Sequence, residues 1–139
     1  MCFKTIKNWL YRIYSGKNSM EYILSKYCDD VKLLDSKYNL GPIDDLIQFL
    51  KTDDTDLKSY INTYLDCDDF AIMLFGLWKD AMCPDNTGLG LVFVRHPDYL
   101  HALNFYVDDE EQVWLVEPQN DSYWLIENED ILKPYFMMI

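Results

Sequence analysis

No window of this 139-residue sequence reaches the roughly 18 consecutive apolar residues of a membrane-spanning helix. Nor does Met1-Cys2-Phe3-Lys4-Thr5-Ile6 open the apolar run of a secretory leader. Cysteine is scarce and irregular. Cys2, Cys28, Cys67 and Cys83 form no Cys-x-x-Cys pair, which argues against a zinc site and against a secreted disulfide framework. Basic residues are also few: 12 Lys and Arg stand against 24 Asp and Glu, for a net charge of −12. Nothing concentrates enough cations to neutralise nucleic-acid phosphates. These absences together lead us to expect a cytoplasmic protein with reduced thiols, no transmembrane segment and no nucleic-acid partner.

What is present is enough apolar sequence, 50% of the chain, for one domain with a core. No repeat, low-complexity tract or linker divides it, so residues 1–139 are expected to form a single α+β domain. A helical part over 1–64 comes first. It holds a basic amphipathic helix over 3–14, suited to the protein's own body or to an acidic membrane surface. A second helix follows, capped by Ser19 and turning Tyr22, Ile23, Tyr27 and Val31 inward, and a third spans Ile43 to Leu50. The charge is uneven: Lys4, Lys7, Arg12 and Lys17 give residues 1–17 a charge of +4 with no acid, so the remainder carries −16 to reach the total of −12. Asp53, Asp54 and Asp56 lack the glycine and distal Glu of an EF-hand loop, and read as a solvated connection. From Gly88 the apolar period changes from 3.6 to 2. Leu89–Arg95, His101–Val107, Gln112–Glu117 and Ser122–Ile126 read as a four-stranded antiparallel sheet over 88–127.

Between these halves, residues 65–83 carry the longest helical pattern, with Phe70, Leu74, Leu77 and Trp78 as its apolar stripe. Asp66 is an N-cap residue, and Asp69 three positions on is an acidic counterpart of the capping-box Glu. Cys67 falls in the first turn, where free amides and the helix dipole favour a thiolate. Such a residue suits a nucleophile, or is a small thiol that happens to begin a core helix.

Alternation puts His101 in line with Leu103, Phe105 and Val107, and Glu117 in line with Val113 and Leu115. The tightest turn between these strands pairs positions that sum to 218, which sets His101 opposite Glu117 and within hydrogen-bonding reach. A cysteine at a helix N-terminus and a carboxylate-oriented histidine fit a nucleophile–base–orienter triad of Cys67, His101 and Glu117. The competing reading is a structural His–Glu pair beside an unrelated thiol. His96, which precedes Pro97, has no such partner.

The strings Asp66-Cys67-Asp68-Asp69-Phe70-Ala71, His101-Ala102-Leu103-Asn104 and Glu117-Pro118-Gln119 resemble the papain-like cysteine protease domain of the Marasmius oreades agglutinin, related domains of which appear in bacterial and phage proteins. The resemblance runs over about residues 55–125. It implies a papain-like (transglutaminase-like) peptidase fold, the triad above and calcium-dependent peptidase activity. The agglutinin's sugar-binding trefoil has no counterpart here. Calcium also has a motive in the residues themselves. Asp66, Asp68 and Asp69 surround Cys67 with negative charge that opposes a thiolate. A cation held by Asp68 and Asp69 would offset it, although these carboxylates also suit a purely capping role. An oxyanion could be met by Gln119 or Asn62, with the amide of Cys67 as a second donor.

Two functions follow as expectations. The first is a cysteine hydrolase or acyl transferase acting on a peptide, isopeptide or amide bond of a peptide or protein substrate, calcium-activated and without an organic cofactor. The second, from the charge of −12, is a non-catalytic acidic interaction protein such as an inhibitor or a viral nucleic-acid mimic.

Overall fold

The computed structural model describes residues 17–139, so the helix expected over 3–14 lies outside the described residues. Its centre is a six-stranded mixed sheet: β1 (Val31–Lys32), β2 (Leu89–Arg95), β3 (Leu100–Val107), β4 (Val113–Glu117), β5 (Ser122–Leu125) and β6 (Lys133–Met138), in the order β1-β6-β2-β3-β4-β5. The helices are α1 (Lys17–Ser25), α2 (Ile43–Leu50) and α3 (Cys67–Met82), with short 3-10 turns at Thr55–Leu57 and Ile126–Asn128.

This corrects the expected architecture of a helical N-terminal half followed by four antiparallel strands. Before α3 the α-helices among the described residues are the 9-residue α1 and the 8-residue α2 alone. Val31, expected on a helix face, instead opens β1, which runs parallel to β6. β6 sits between β1 and β2 and was not among the expected strands; it carries Pro134, which strands tolerate at an edge or an irregularity. The chain absorbs it with an irregularity between Phe93 and Val94, after which Val94 faces Pro134. The four anticipated strands lie within a residue of their expected bounds.

Alternation along the strands divides the interior. On one face, Met20, Ile23 and Leu24 of α1 and Tyr38 and Leu40 of the following segment pack on Val92, Val94, Leu103, Phe105, Val107 and Leu115. Tyr22, expected to point inward, is exposed. On the other face, Leu46 and Leu50 of α2 and Leu74 and Trp78 of α3 pack on Leu89, Tyr106 and Val116. Gly90 is required where it stands. A Cβ there would come within 2.5 Å of the Met138 carbonyl and of the Phe105 ring that covers it.

The helix α3 begins where its sequence says it should. The capping box forms, with the Asp66 amide donating to Asp69 Oδ2 at 3.2 Å. Phe70, Ala71, Leu74 and Trp78 are buried, while Leu77, expected in the stripe, is 46% exposed. Asn104, fully buried in β3, fastens this helix to the sheet by donating to the carbonyls of Ala71 at 2.9 Å and Gly90 at 3.2 Å.

One loop carries a cost. Asp53 closes the 3-10 turn by accepting from the Thr55 amide at 3.1 Å and hydroxyl at 3.0 Å. Asp121, at φ 60, tightens the turn between β4 and β5. Burial, with the charges of Asp56 and Asp53 nearby, pushes the Asp121 carboxyl up to about 6, and its Oδ1 has no hydrogen-bond partner. Because the folded value is raised above the unfolded one, the penalty is absent at low pH and grows as pH climbs towards about 6. Asp121→Asn, which tolerates positive φ, is expected to stabilise the fold by about 1 kcal/mol at neutral pH after discounting for solvent screening. It should leave stability unchanged at acid pH. Urea denaturation of both proteins at two pH values checks this, and equal midpoints at neutral pH would contradict it.

Candidate functional site

The β3–β4 turn decides how the site is built. Asp108, 3% exposed, accepts from the amides of Glu110 at 3.0 Å and Gln112 at 2.9 Å, and its Oδ2 accepts from Trp114 Nε1 at 2.8 Å. This carboxylate-stapled turn is one residue pair longer than the tightest one. Val107 therefore faces Val113 and Phe105 faces Leu115, so paired positions sum to 220 rather than the expected 218. Carried on, the register sets Leu103, not His101, opposite Glu117, and places His101 on the diagonal. A diagonal neighbour is still reachable by two long side chains.

The pair forms all the same. His101 Nε2 and Glu117 Oε2 are 2.7 Å apart, with side chains 18% and 16% exposed. The other carboxylate oxygen, Oε1, accepts from the Gln119 amide at 3.1 Å. Glu117 is thus held at both oxygens, and the imidazole is left with Nδ1 for other work. Tyr99 packs edge-on to the His101 ring at 6.3 Å between centroids, and stacks on His96 at 4.2 Å.

Cys67 occupies the first position of α3 and is partly buried. It packs against the cluster of Ala71, Leu91 and Ala102, the last being the neighbour of His101 in β3. Asn104 and Tyr106 share the α3-facing row with Ala102, whereas His101 belongs by alternation to the row of Leu103 and Phe105. Among the described residues no hydrogen bond joins Cys67 to His101. The structure therefore brings His101, Glu117 and the Gln119 backbone together, while Cys67 packs with the cluster of Ala102, whose side chain alternates to the face opposite that of His101. Cys28 is buried and Cys83 exposed, and both are free thiols. Burial pushes the Cys28 thiol up, partly offset by the Asp30 backbone.

The carboxylate oxygens of Asp66, Asp68 and Asp69 lie within 4.8 Å of one another. The Asp66 carboxyl is raised, first by its hydrogen bond to Asp68, then by desolvation and by the charges of Asp68 and Asp69. Three crowded hard oxygen donors suit a calcium ion.

Sequence reasoning gave no role to Asn104, which fastens α3 to the sheet, or to the Asp108 side chain, which staples the β3–β4 turn. Asn104 and Asp108 are polar residues in or beside an apolar strand, and that signal was available.

No protein-family description matches the chain, and no curated protein does. Solved structures do. A chain titled the PSL1a-E64 complex superposes with a TM-score of 0.75 at 23% identity, over 90% of this chain and 50% of that one. The Polyporus squamosus lectin bound to the human-type influenza-binding epitope Neu5Aca2-6Galb1-4GlcNAc superposes at 0.66 and 25% identity, over 79% of this chain and 42% of that one. The present chain thus spans about half the length of the solved chains it matches.

These neighbours correct the expectations drawn from the resemblance. They bear the names of lectin chains and not of a peptidase, so the assignment to a papain-like cysteine peptidase fold is replaced by likeness to this lectin structure. The reading as an enzyme, a cysteine hydrolase or acyl transferase acting on a peptide substrate, goes with it. The alternative of an acidic inhibitor or nucleic-acid mimic is set aside on the same finding. Among the described residues no helix is long and apolar enough to cross a membrane.

Proposed function

We propose that this chain carries a cation-responsive nucleophilic thiol. Cys67 is its nucleophile, His101 its base, Glu117 the group that orients the imidazole, and Gln119 a donor to developing oxygen charge. The observation that carries the reading is the 2.7 Å contact of His101 Nε2 with Glu117 Oε2, one residue from Ala102 of the cluster that Cys67 joins. The neighbour described as a complex with E64 adds support, since the epoxide of that compound opens on attack by a thiolate. The step balances: Cys67 Sγ forms a C–S bond, the epoxide C–O bond breaks, and the released alkoxide takes the proton that His101 removed from the thiol. This is covalent capture, with no turnover assigned.

Asp68 and Asp69 would hold calcium, with no organic cofactor required. When bound, the cation supplies positive charge beside a thiolate that the aspartates otherwise oppose. A cytoplasmic location fits the free thiols Cys28, Cys67 and Cys83.

The test is the rate at which each thiol reacts with iodoacetamide. Cys67 should react faster than exposed Cys83, and faster with calcium than with chelator. Equal rates at Cys67 and Cys83 in calcium would sink the thiol reading. Calcium should also stabilise the fold by about 2.7 kcal/mol at a hundredfold excess over its dissociation constant. Asp69→Asn, in which the amide can still cap, should lose that response. Thermal unfolding reads it, and identical midpoints with and without calcium would remove the metal while leaving the thiol to stand.

A second reading, glycan binding, is favoured by the lectin neighbour, which is bound to a sialylated trisaccharide. Calorimetric titration with that trisaccharide decides it, since a saturable isotherm supports glycan binding and a flat one removes it.

A further inference from the structure

We infer that a cavity where β2 ends and β6 begins is a second binding site, for an organic carboxylate on a short apolar stem. The cavity, of about 440 Å³, is lined by Arg95, His96, Pro97, Asp130, Ile131 and Lys133. It owes nothing to the reading of Cys67.

The strand pairing supplies the first argument. Arg95 and Lys133 are direct cross-strand partners. Like charges placed opposite one another destabilise a sheet, so the pairing needs a compensating reason. In a chain with a net charge of −12, two cations facing the same cavity are not a consequence of composition. An anion between them turns repulsion into two charge-assisted contacts. Among the described residues neither side chain is in an ion pair, and Lys133 meets only the more distant charge of Glu129, whose carboxyl it helps to lower. The Arg95 guanidinium lies 5.5 Å over the Tyr135 ring, which holds it at the rim while leaving its N–H groups free for an in-plane partner.

His96 supplies the second. The Asp98 amide donates to His96 Nδ1 at 3.1 Å, which leaves Nε2 as the protonated nitrogen and a hydrogen-bond donor. Stacking on Tyr99, with the rings 12° from parallel, fixes the imidazole plane. The stem of the ligand is argued from the remaining lining. Pro97 and Ile131 are apolar, and Ile131 is 55% exposed, a surface that gains by being covered. Asp130 is the one acid in the lining, and it disfavours a ligand with several negative charges. A single carboxylate with an apolar tail suits Arg95, Lys133 and His96 at its head and Pro97 and Ile131 along its stem, and meets Asp130 with the least negative charge an anion can carry.

The probe is hexanoate, titrated into the full chain and followed by amide NMR shifts of residues 95–97 and 131–133, with hexanamide and inorganic phosphate as comparisons. Hexanoate should give saturable shifts confined to these residues. Arg95→Gln and Lys133→Gln should each weaken it by roughly tenfold or more, as befits loss of a hydrogen bond to a charged group. Hexanamide and phosphate should each bind more weakly than hexanoate. Cys67→Ala should bind hexanoate unchanged, which separates this site from the thiol. Equal binding of hexanamide would reduce the cavity to an apolar dimple, and equal binding of phosphate would remove the stem. No saturable shift, or shifts untouched by both substitutions, would overturn the site.

Discussion

His101→Ala is expected to slow covalent capture of an epoxide by Cys67 about a hundredfold at neutral pH, the usual worth of a positioned base. The imidazole belongs to the residue directly before Ala102, a member of the cluster that Cys67 joins, and Glu117 holds it from Nε2 at 2.7 Å. With Nε2 engaged, Nδ1 is the nitrogen left to take the thiol proton. Glu117→Gln keeps the shape and loses the charge, so its effect should be smaller and should shift the pH profile of the reaction as well as its rate. A histidine with a merely structural role would lower stability and leave the profile of the surviving folded protein unmoved. Stopped-time alkylation across pH, with circular dichroism to establish folding, separates these outcomes. An unchanged rate in folded His101→Ala would contradict the assigned base.

Tyr106→Phe is expected to destabilise the protein by about 1.5 kcal/mol, although it removes a single oxygen. That hydroxyl lies 2.9 Å from the Gly41 carbonyl and 3.0 Å from the Pro42 carbonyl, and accepts from Asn86 Nδ2 at 2.7 Å. Asn86 is itself shared: its Nδ2 also reaches Asp45 Oδ2 at 2.9 Å, its Oδ1 accepts from the Gly88 amide, and its carbonyl accepts from Trp78 Nε1. The network ties the start of α2, the end of α3 and the start of β2 to β3. Removing the hydroxyl takes one contact each from Asn86 Nδ2 and the Gly41 and Pro42 carbonyls, which keep Asp45 Oδ2, the Asp109 amide and the Asp45 amide as their remaining partners. Burial raises the Tyr106 phenol well above its ordinary value, so it stays neutral throughout the accessible pH range. Tyr22→Phe, on an exposed ring, should change stability by less than about 0.5 kcal/mol. A Tyr106→Phe midpoint in urea equal to that of Tyr22→Phe would refute the network's role.

The α3 helix was legible because its signals are local: an Asp66 cap, an Asp69 partner three residues later, and apolar residues at helical spacing. The antiparallel strands after Gly88 were legible for the same reason, since alternation is written in consecutive residues. What the sequence hid is non-local. β6 contains Pro134, and only the irregularity in its β2 partner makes room for it. Val31 and Lys32 form a strand because the C-terminal segment runs beside them, a fact that two residues cannot announce. The His101–Glu117 pair was anticipated through a register that the turn does not adopt. It forms because both side chains are long enough to meet on the diagonal once Asp108 has lengthened the turn. The apolar stripe misplaced Leu77 because the helix buries a narrower face, that of Phe70, Ala71, Leu74 and Trp78, than periodicity suggests. The peptidase assignment came from short motifs around three residues, whereas the likeness to lectin chains extends over most of the fold.

The measurement that tests the central claim most directly is peptide mapping by mass spectrometry after incubation of the full chain with E64, in calcium and in chelator. The proposed thiol predicts one adduct, on Cys67, formed faster in calcium and absent from Cys28 and Cys83. The absence of any adduct in calcium, or labelling spread equally over Cys67 and Cys83, would contradict it.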